Sequence, residues 1–322
     1  MTTTELYEPE LVLTHDQIRS NRDRWLAARE AGIGASEIAA VLGLSPYDSP
    51  FSLYWRKKLH TTTEMNEAME WGLRHEGTIA AKFREQHPEF IAVPGGLYRH
   101  PVHRWMLATP DLILENAQPG CDELAQIKTT RSWDGWGTPG TDQIPAYYAA
   151  QVQQEMTVYG ARRCWLPVLA GGNSYREYVV DWDATDAQTI IFAGIDFMQR
   201  LANDNPPDLD GTAATTATLK QLHPTVVDDV VTIPQHLADQ YATRRALLDD
   251  AKTALAEVEN HIRGLLGDAR TAVCGGRKVA QRSVYDQTRL DTRRLKADHP
   301  DLHAAYAVTS TVSKLTPCKE SQ

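Results

Sequence analysis

Two short sequence motifs carry the residue types that phosphodiester hydrolysis requires. Thr109-Pro110-Asp111 lies in one predicted strand, and Gln126-Ile127-Lys128 lies in the next. Because successive side chains of a strand point to opposite faces, residues 126 and 128 share a face. An acidic residue, an oxygen donor and an amine would then converge across a hairpin. A hard cation such as Mg²⁺ prefers oxygen ligands and, with a lysine, can activate water, so the pattern indicates a nuclease.

The same motifs also have a purely structural interpretation. Asp111 could end a turn, Gln126 could be a polar residue on a strand edge, and Lys128 could be solvated. Motifs this short occur in many unrelated proteins. The nuclease interpretation therefore needs support from the rest of the chain.

The elements around the motifs are predicted from capping and periodicity. Thr14 and Gln17 have the form of a capping box that opens a helix to about Arg29, and Ser36 can cap the next helix. The remaining pattern gives a helix at 64–86, strands at 105–114 and 123–129 around a polar connection at 116–120, a helix at 145–160 and strands at 163–169 and 175–181. On the helix at 145–160, Tyr147, Gln151 and Gln154 are predicted to share a face. This order indicates an α/β (α+β) protein.

One break in composition divides the chain. Residues 203–218, rich in Pro, Gly, Asp and Thr, are predicted to link a domain at 1–202 to a smaller C-terminal module at 219–322. The module is predicted to hold a long amphipathic helix with a seam from Tyr241 to Leu265, a hairpin at 271–285, a short helix at 290–296 and a last strand at 306–312. The seam is explained either by packing within the chain or by a docking or oligomer surface.

Composition excludes several classes of protein. With 322 residues and 42% hydrophobic content the chain can build a buried core, and no run approaches the ~18 apolar residues of a membrane span. The first residues lack a secretory signal, which predicts a cytoplasmic protein. Cys121, Cys164, Cys274 and Cys318 lie too far apart for a zinc site and are predicted to be unpaired. A net charge of −9 means that any DNA surface must be a local basic groove.

Five linked motifs resemble one family. AREAGIGASEIAAVLGLSPY at 28–47, WGLRHE at 71–76, ATPD at 108–111, QIK at 126–128 and IPAYYAAQVQQEMTVYG at 144–160 follow the order and spacing of the YqaJ-type viral recombinases. These are phage exonucleases similar to lambda exonuclease, within the PD-(D/E)xK superfamily. The resemblance covers about residues 22–183 and implies a restriction-endonuclease-like core, with a mixed central sheet flanked by helices.

The resemblance also implies roles for individual residues. Asp111 would be the central metal ligand, position 126 the second acidic ligand, and the Ile127 carbonyl a third, with Mg²⁺ or Mn²⁺ as the cofactor. Lys128 would be the catalytic lysine, and Glu76 would bind metal directly or through water. Taken alone, Glu76 is equally well explained as a solvated helix residue.

A 5′-phosphate pocket is implied by four further positions. Arg29 and Ser36 match its core, and Thr109 and Gln151 match positions near it. The chemistry agrees, because a guanidinium binds phosphate oxygens in a forked pair and a helix start offers N–H groups. Ser36 as a plain helix cap, Arg29 as a surface cation and Gln151 as a polar face residue are the structural alternatives.

Two positions depart from the family pattern. Leu112 follows Asp111 where the family usually has glycine, and Gln126 occupies the place of a Glu or Asp. An amide keeps the shape of glutamate but lacks its charge, which should weaken binding of a hard cation. Gln126 fits either a natural variant or a Glu-to-Gln substitution that stops cleavage; the second is favoured because the other motifs are intact.

Two functions are therefore predicted from the sequence. The first is a Mg²⁺-dependent exonuclease that degrades the 5′-phosphorylated strand of duplex ends and passes the 3′ strand to a phage single-strand annealing protein. Relatives of this kind form closed rings, often trimers. The second is a DNA-end-binding protein without catalysis, in which Gln126 is native.

Overall fold

The computed structural model describes residues 8–62, 65–115, 122–310 and 312–317, and its contacts divide the chain into two units, Met1–His223 and Pro224–Gln322. The connection predicted at 116–120, Cys121, Cys318 and the predicted helix start at Glu64 lie outside the described residues. Within those ranges no helix combines the length and the apolar character needed to cross a membrane.

The first unit contains strands β1 to β10 and helices α1 to α8. The strands are β1 Glu10–Leu13, β2 Ile33–Gly34, β3 Ile91–Pro94, β4 Leu97–Arg99, β5 Met106–Ala108, β6 Leu112–Glu115, β7 Glu123–Ala125, β8 Lys128–Thr130, β9 Arg163–Ala170 and β10 Ser174–Asp181. The helices are α1 His15–Ser20, α2 Arg22–Glu30, α3 Ala35–Val41, α4 Pro50–Lys58, α5 Glu67–Gln86, α6 Ala146–Tyr159, α7 Ala184–Ala202 and α8 Ala213–Leu222.

Two sheets form the framework of this unit. One has the strand order β1-β4-β5-β2, and the other has the order β10-β9-β7-β6-β3 with β8 also pairing with β9. Pairing is parallel for β2 with β5 and for β7 and β8 with β9, and antiparallel elsewhere. Helices α3, α6 and α7 pack together beside β5, while α5 contacts β8 and β9. The predicted α/β class, with mixed sheets flanked by helices, is confirmed.

The first strand of the predicted hairpin is interrupted. Residues 109–111 were expected inside one strand, but β5 ends at Ala108 in one sheet and β6 begins at Leu112 in the other. Pro110 has no N–H to donate to a ladder, so the chain can change sheets there. Asp111 therefore lies at the start of β6, whose hairpin with β7 pairs Leu112 with Ala125.

Helix boundaries near the N-terminus also differ from the prediction. The Thr14–Gln17 capping box is present, but the helix predicted to Arg29 breaks at Asn21, which caps α2 by accepting from Arg24 N–H. Helix α3 begins two residues earlier than expected, with Gly34 instead of Ser36 as its N-cap and Glu37 Oε2 accepting from the Gly34 N–H. Ser36 is therefore not the cap, and its hydroxyl is left for another partner.

Helix α6 is buried on all sides over residues 150–158, which differs from the two-faced helix that was predicted. Val152 and Met156 enter the core as expected. Gln154 does not share the surroundings of Gln151, because its amide donates to the carbonyls of Ile33 and Leu107 at 2.8 and 3.0 Å. Buried amides of this kind are retained where backbone groups need partners.

The expected linker at 203–218 is only partly a connection. Residues 203–212 lack regular structure, but Thr212 caps α8 by accepting from the Thr215 N–H, and α8 packs on α4. Thr215 is buried and shares a 2.7 Å hydrogen bond with Ser49. Small side chains that suggested a flexible segment here allow a close helix contact instead.

The second unit contains α9 Gln235–Leu266, β11 Thr271–Cys274, β12 Arg277–Gln281, α10 Thr292–Asp298 and α11 Pro300–Tyr306. The long helix and the hairpin occur as predicted. The predicted strand at 306–312 does not form; Pro300 opens α11 and residues 307–310 have no regular structure. The apolar seam of α9 is exposed, as at Leu255 and Val258.

Gly95 permits close contact between its own backbone and the backbone of Pro110 and Asp111. Its N–H donates to the Asp111 carbonyl at 3.2 Å, and a Cβ at this position would lie 2.1 Å from the Pro110 carbonyl oxygen. We expect Gly95→Ala to lower the free energy of unfolding by about 1–3 kcal/mol through overpacking. Gly77→Ala is the control, since it has open space within α5 and should raise stability by up to about 1 kcal/mol. Equal effects in urea denaturation would contradict this role for Gly95.

Candidate active site

The two motifs found in the sequence lie side by side and are joined by reciprocal hydrogen bonds. The Ile127 N–H donates to Asp111 Oδ2 at 2.7 Å, and the Asp111 N–H donates to Gln126 Oε1 at 3.3 Å. Gln126 is 6% exposed and follows directly after β7. The start of β6 and the end of β7 therefore hold the Asp111 carboxyl and the Gln126 amide together.

Lys128 opens β8 and points its amine at helix α6. Its Nζ donates to Gln151 Oε1 at 3.0 Å and lies 4.9 Å from the centre of the Tyr148 ring. Gln151 in turn donates from Nε2 to Glu155 Oε1 at 2.8 Å. The amide of Gln151 is thus fixed at both ends, and a fixed acceptor orients the lysine.

Charges at the site are strongly coupled. Burial raises the pKa of Asp111 to about 7, the Lys128 ammonium opposes this rise, and Glu76 adds to it. Burial likewise raises the pKa of Glu155 to about 8, again opposed by Lys128. Two carboxyl groups therefore lie around one amine in a low-dielectric environment, which is typical of functional sites.

Glu76 lies on the side of the site formed by α5. It is half-buried, and burial raises its pKa against the effects of His15, Arg19 and Lys128. Helix α5 approaches β8 closely, because a Cβ on Gly72 would lie 3.5 Å from Thr129 Oγ1. Glu76 is thus within electrostatic reach of Lys128 and Asp111.

Arg29, Ser36 and Thr109 are brought together with Trp25. Arg29 Nη2 donates to Ser36 Oγ at 2.9 Å, and the guanidinium lies 4.7 Å over the Trp25 ring. Trp25 Nε1 lies 3.5 Å from Thr109 Oγ1. A Cβ on Gly34 would lie 2.5 Å from Arg29 Nη2, so glycine makes room for the guanidinium. The group presents a guanidinium and hydroxyls, the donors that a phosphate requires.

A buried ion pair between Lys57 and Glu37 lies next to Arg29 of this cluster. Lys57 Nζ donates to Glu37 Oε2 at 2.9 Å and to the Gly32 carbonyl at 2.7 Å. Burial acts to raise the pKa of Glu37, but Lys57 and Arg29 together hold it below its ordinary value. Glu37 Oε2 lies 3.8 Å from Arg29 Nη2. The loop between α2 and α3 is therefore fixed by Lys57.

Three site residues were missed by sequence reasoning. Trp25 and Lys57 carry no motif signal, since an aromatic on an amphipathic helix and a lysine at a helix end are ordinary features. Glu155 follows Gln151 by one helical turn, a spacing that could have marked it as a neighbour. Gln151 itself was expected near the phosphate cluster, and the structure places it on Lys128.

The oxygen donors at the site suit a hard divalent cation. Across the described ranges, no three residues among His, Cys, Asp and Glu are grouped closely enough to hold a metal on their own. Glu155 Oε2 is nevertheless buried and has no hydrogen-bond partner among the described residues. Asp111, Gln126 and Ile127 offer carboxyl, amide and carbonyl oxygens, which are donor types that Mg²⁺ or Mn²⁺ prefers and a soft metal does not.

Comparisons with known proteins match this region of the chain. Residues 24–162 match the model of the YqaJ-like viral recombinase domain, which confirms the resemblance seen in the five motifs. The Bacillus subtilis (strain 168) protein described as uncharacterized protein YqaJ is 26% identical over 294 residues, covering 88% of this chain and 90% of that protein.

Solved structures of exonucleases are distant neighbours. The alkaline exonuclease LHK-Exo from Laribacter hongkongensis is 20% identical, with a TM-score of 0.47, over 62% of this chain and 100% of that chain. A phage related exonuclease from Haemophilus somnus 129PT is 10% identical, with a TM-score of 0.41, over 54% of this chain and 96% of that chain.

Proposed function

Starting from the YqaJ-like viral recombinase domain at residues 24–162, we propose that this chain is a divalent-cation-dependent deoxyribonuclease. Its substrate is a double-stranded DNA end, from which it removes the 5′-phosphorylated strand during phage recombination. The solved structures named above are described as exonucleases, the same class of enzyme as the one proposed. Mg²⁺ is the proposed cofactor, with Mn²⁺ as a substitute.

The observation that carries the proposal is the convergence of Asp111, Gln126 and Lys128. Their side chains come from the start of β6, the end of β7 and the start of β8, and hydrogen bonds and mutual electrostatic effects link them in one cluster. A solvated Lys128, the structural alternative considered from the sequence, would extend into water. Here it is half-buried, and its amine is held by an amide and an aromatic ring.

Each group of side chains has its own role in the proposed hydrolysis. A bound cation would supply Lewis-acid activation, held by Asp111, the Gln126 amide oxygen and the Ile127 carbonyl, with Glu76 nearby. Lys128 holds a proton-donating ammonium beside Asp111, where it can neutralise charge that develops on a phosphate oxygen. Arg29, Ser36 and Thr109 bind the terminal phosphate and set the register of the strand to be cut.

A non-catalytic DNA-end-binding protein is the second candidate, and the uncharged Gln126 favours it. Digestion of a 5′-phosphorylated duplex with Mg²⁺, run beside Gln126→Glu, separates the candidates. We expect the wild-type chain to shorten the phosphorylated strand. Cleavage by the glutamate variant alone would identify a disabled nuclease, and no cleavage by either would support the binding protein.

Arg29→Gln is expected to remove the preference for phosphorylated ends. A charge-assisted hydrogen bond contributes about 1.5–3 kcal/mol, so the ratio of digestion rates on 5′-phosphate and 5′-hydroxyl duplexes should fall about 10- to 100-fold. The control is Arg24→Gln, an exposed arginine on the same helix. An unchanged ratio in the Arg29 variant would show that this cluster does not bind the terminal phosphate.

The resemblance extends the proposal to partners and setting. We propose a homo-oligomeric ring that threads DNA and thereby gains processivity; a trimer is the form expected from the family. The product strand would pass to a phage single-strand annealing protein in the cytoplasm of the bacterial host. Size-exclusion chromatography with light scattering tests the ring, with a monomer as the contrary result.

A further inference from the structure

We propose that Glu155 of helix α6 supplies the second acidic group of the cation site, in place of the carboxylate that position 126 lacks. This inference rests on the proposed nuclease function. It concerns a residue outside both strand motifs, on the helix that packs against them. The acid would come from helix α6 instead of the segment after β7, but it would add the same negative charge to the site.

Glu155 is a fully buried acid on α6, where the amide oxygen of Gln154 is likewise buried without a partner among the described residues. The Glu155 side chain is 1% exposed, and only Oε1 has a partner, the Gln151 amide at 2.8 Å. Oε2 is buried with no hydrogen-bond partner among the described residues. A buried carboxyl oxygen without a partner is costly, so such a group calls for a ligand or a functional explanation.

The location of Glu155 connects it to the site. Through Gln151 it is one hydrogen bond removed from Lys128 Nζ. The Lys128 ammonium lowers its pKa and the Asp111 carboxyl raises it. The pKa of the buried Cys164 thiol is affected by Glu155, Asp111 and Lys128 together. Glu155, Asp111 and Lys128 therefore lie within electrostatic reach of one another, and Gln151 links two of them by hydrogen bonds.

Charge relates the acid at position 155 to the amide at position 126. A site with Asp111 and a glutamate at 126 would carry two carboxyl groups, and so does a site with Asp111 and Glu155. Cation affinity depends on the number of charged ligands and on groups that orient them. A glutamine at 155 would satisfy packing and could still accept from Gln151, so a purely structural role does not require an acid.

The test is Mn²⁺ binding, measured by electron paramagnetic resonance without DNA. Wild type, Asp111→Asn, Glu155→Gln and the exchange variant Gln126→Glu/Glu155→Gln are compared. We expect Glu155→Gln to weaken Mn²⁺ about 10- to 100-fold, the range found when groups that orient metal ligands are removed. The exchange variant should recover the affinity of wild type. Glu85→Gln, an exposed glutamate on α5, is the control.

The outcomes separate this inference from the function on which it rests. Wild-type affinity in Glu155→Gln, or no recovery in the exchange variant, overturns the role of Glu155. Loss of Mn²⁺ binding in Asp111→Asn would still establish a cation site at Asp111. Equal and negligible binding by wild type and Asp111→Asn overturns the proposed function itself. If Glu155→Gln fails to fold in thermal unfolding, the exchange variant, which retains the total charge, decides the question.

Discussion

Asp111→Asn is expected to slow digestion of a 5′-phosphorylated duplex by about 10³-fold. The variant keeps the shape of the side chain and its acceptor for the Ile127 N–H but loses the charge that holds a cation. Loss of several kcal/mol of transition-state stabilisation corresponds to this factor. Single-turnover digestion measures the effect, and Asp142→Asn, at an exposed position, is the control.

The same variant should be more stable than wild type when metal is removed with a chelator. Burial raises the pKa of Asp111 from 3.8 to about 7, so the folded state binds the proton more tightly than the unfolded state does. The carboxyl therefore costs stability increasingly as pH rises from about 4 to 7. We expect the Tm difference between Asp111→Asn and wild type to grow over this range. A difference that shrinks with rising pH would contradict the burial of this acid.

Lys128→Met is expected to lower the cleavage rate by about 10²- to 10⁴-fold with little change in DNA binding. Methionine preserves the apolar stem, but it removes the ammonium that lies beside Asp111 and donates to Gln151. The size of the effect is that of one positioned proton-transfer or charge-stabilising group. Single-turnover rates and a separate binding titration distinguish the two quantities.

Lys82→Met provides the comparison for this experiment, since Lys82 is a half-exposed lysine on α5. It should cleave and bind DNA as wild type does. If Lys128→Met lost binding and cleavage in parallel, Lys128 would be a DNA contact rather than part of the reacting centre. If it lost neither, the lysine would have no role in hydrolysis.

Much of the framework could be predicted from the sequence because it depends on local rules. The capping box at Thr14, the hairpin of β11 and β12 and the length of α9 follow from spacing and turn residues. The pairing that brings Asp111 near residues 126–128 follows from the predicted hairpin, although its second strand is broken between β7, which ends at Ala125, and β8, which begins at Lys128. These features need no knowledge of distant contacts.

Other features depend on tertiary contacts that a pattern does not record. The break at Pro110 separates two sheets, and only the pairing partners of β5 and β6 reveal it. Helix α6 was predicted to have a polar face, but it is enclosed by both sheets and by α3 and α7. Its glutamines bond to distant carbonyls and to Lys128, although Gln154 Oε1 has no partner among the described residues, so a polar pattern coexists with burial.

The position of Glu155 at the site also depends on tertiary contacts and could not be predicted from the sequence pattern. A search along the strand for an acid to replace position 126 considers Asp122 and Glu123, yet Glu123 accepts from Trp165 Nε1 at 2.6 Å and Asp122 accepts from Tyr159 at 3.2 Å. The buried acid that Gln151 links to Lys128 lies on a helix, 29 residues after Gln126 in the chain. Its proximity depends on how α6 packs across the sheet.

Diffraction from crystals soaked in Mn²⁺ tests the central claim most directly. Anomalous scattering at the manganese edge locates the ion independently of activity. We expect a single strong peak in contact with an Asp111 carboxylate oxygen and on the side of the sheet occupied by Lys128, and no such peak in Asp111→Asn crystals. Manganese bound elsewhere, with none at Asp111 under saturating conditions, would contradict a cation-dependent nuclease site at this position.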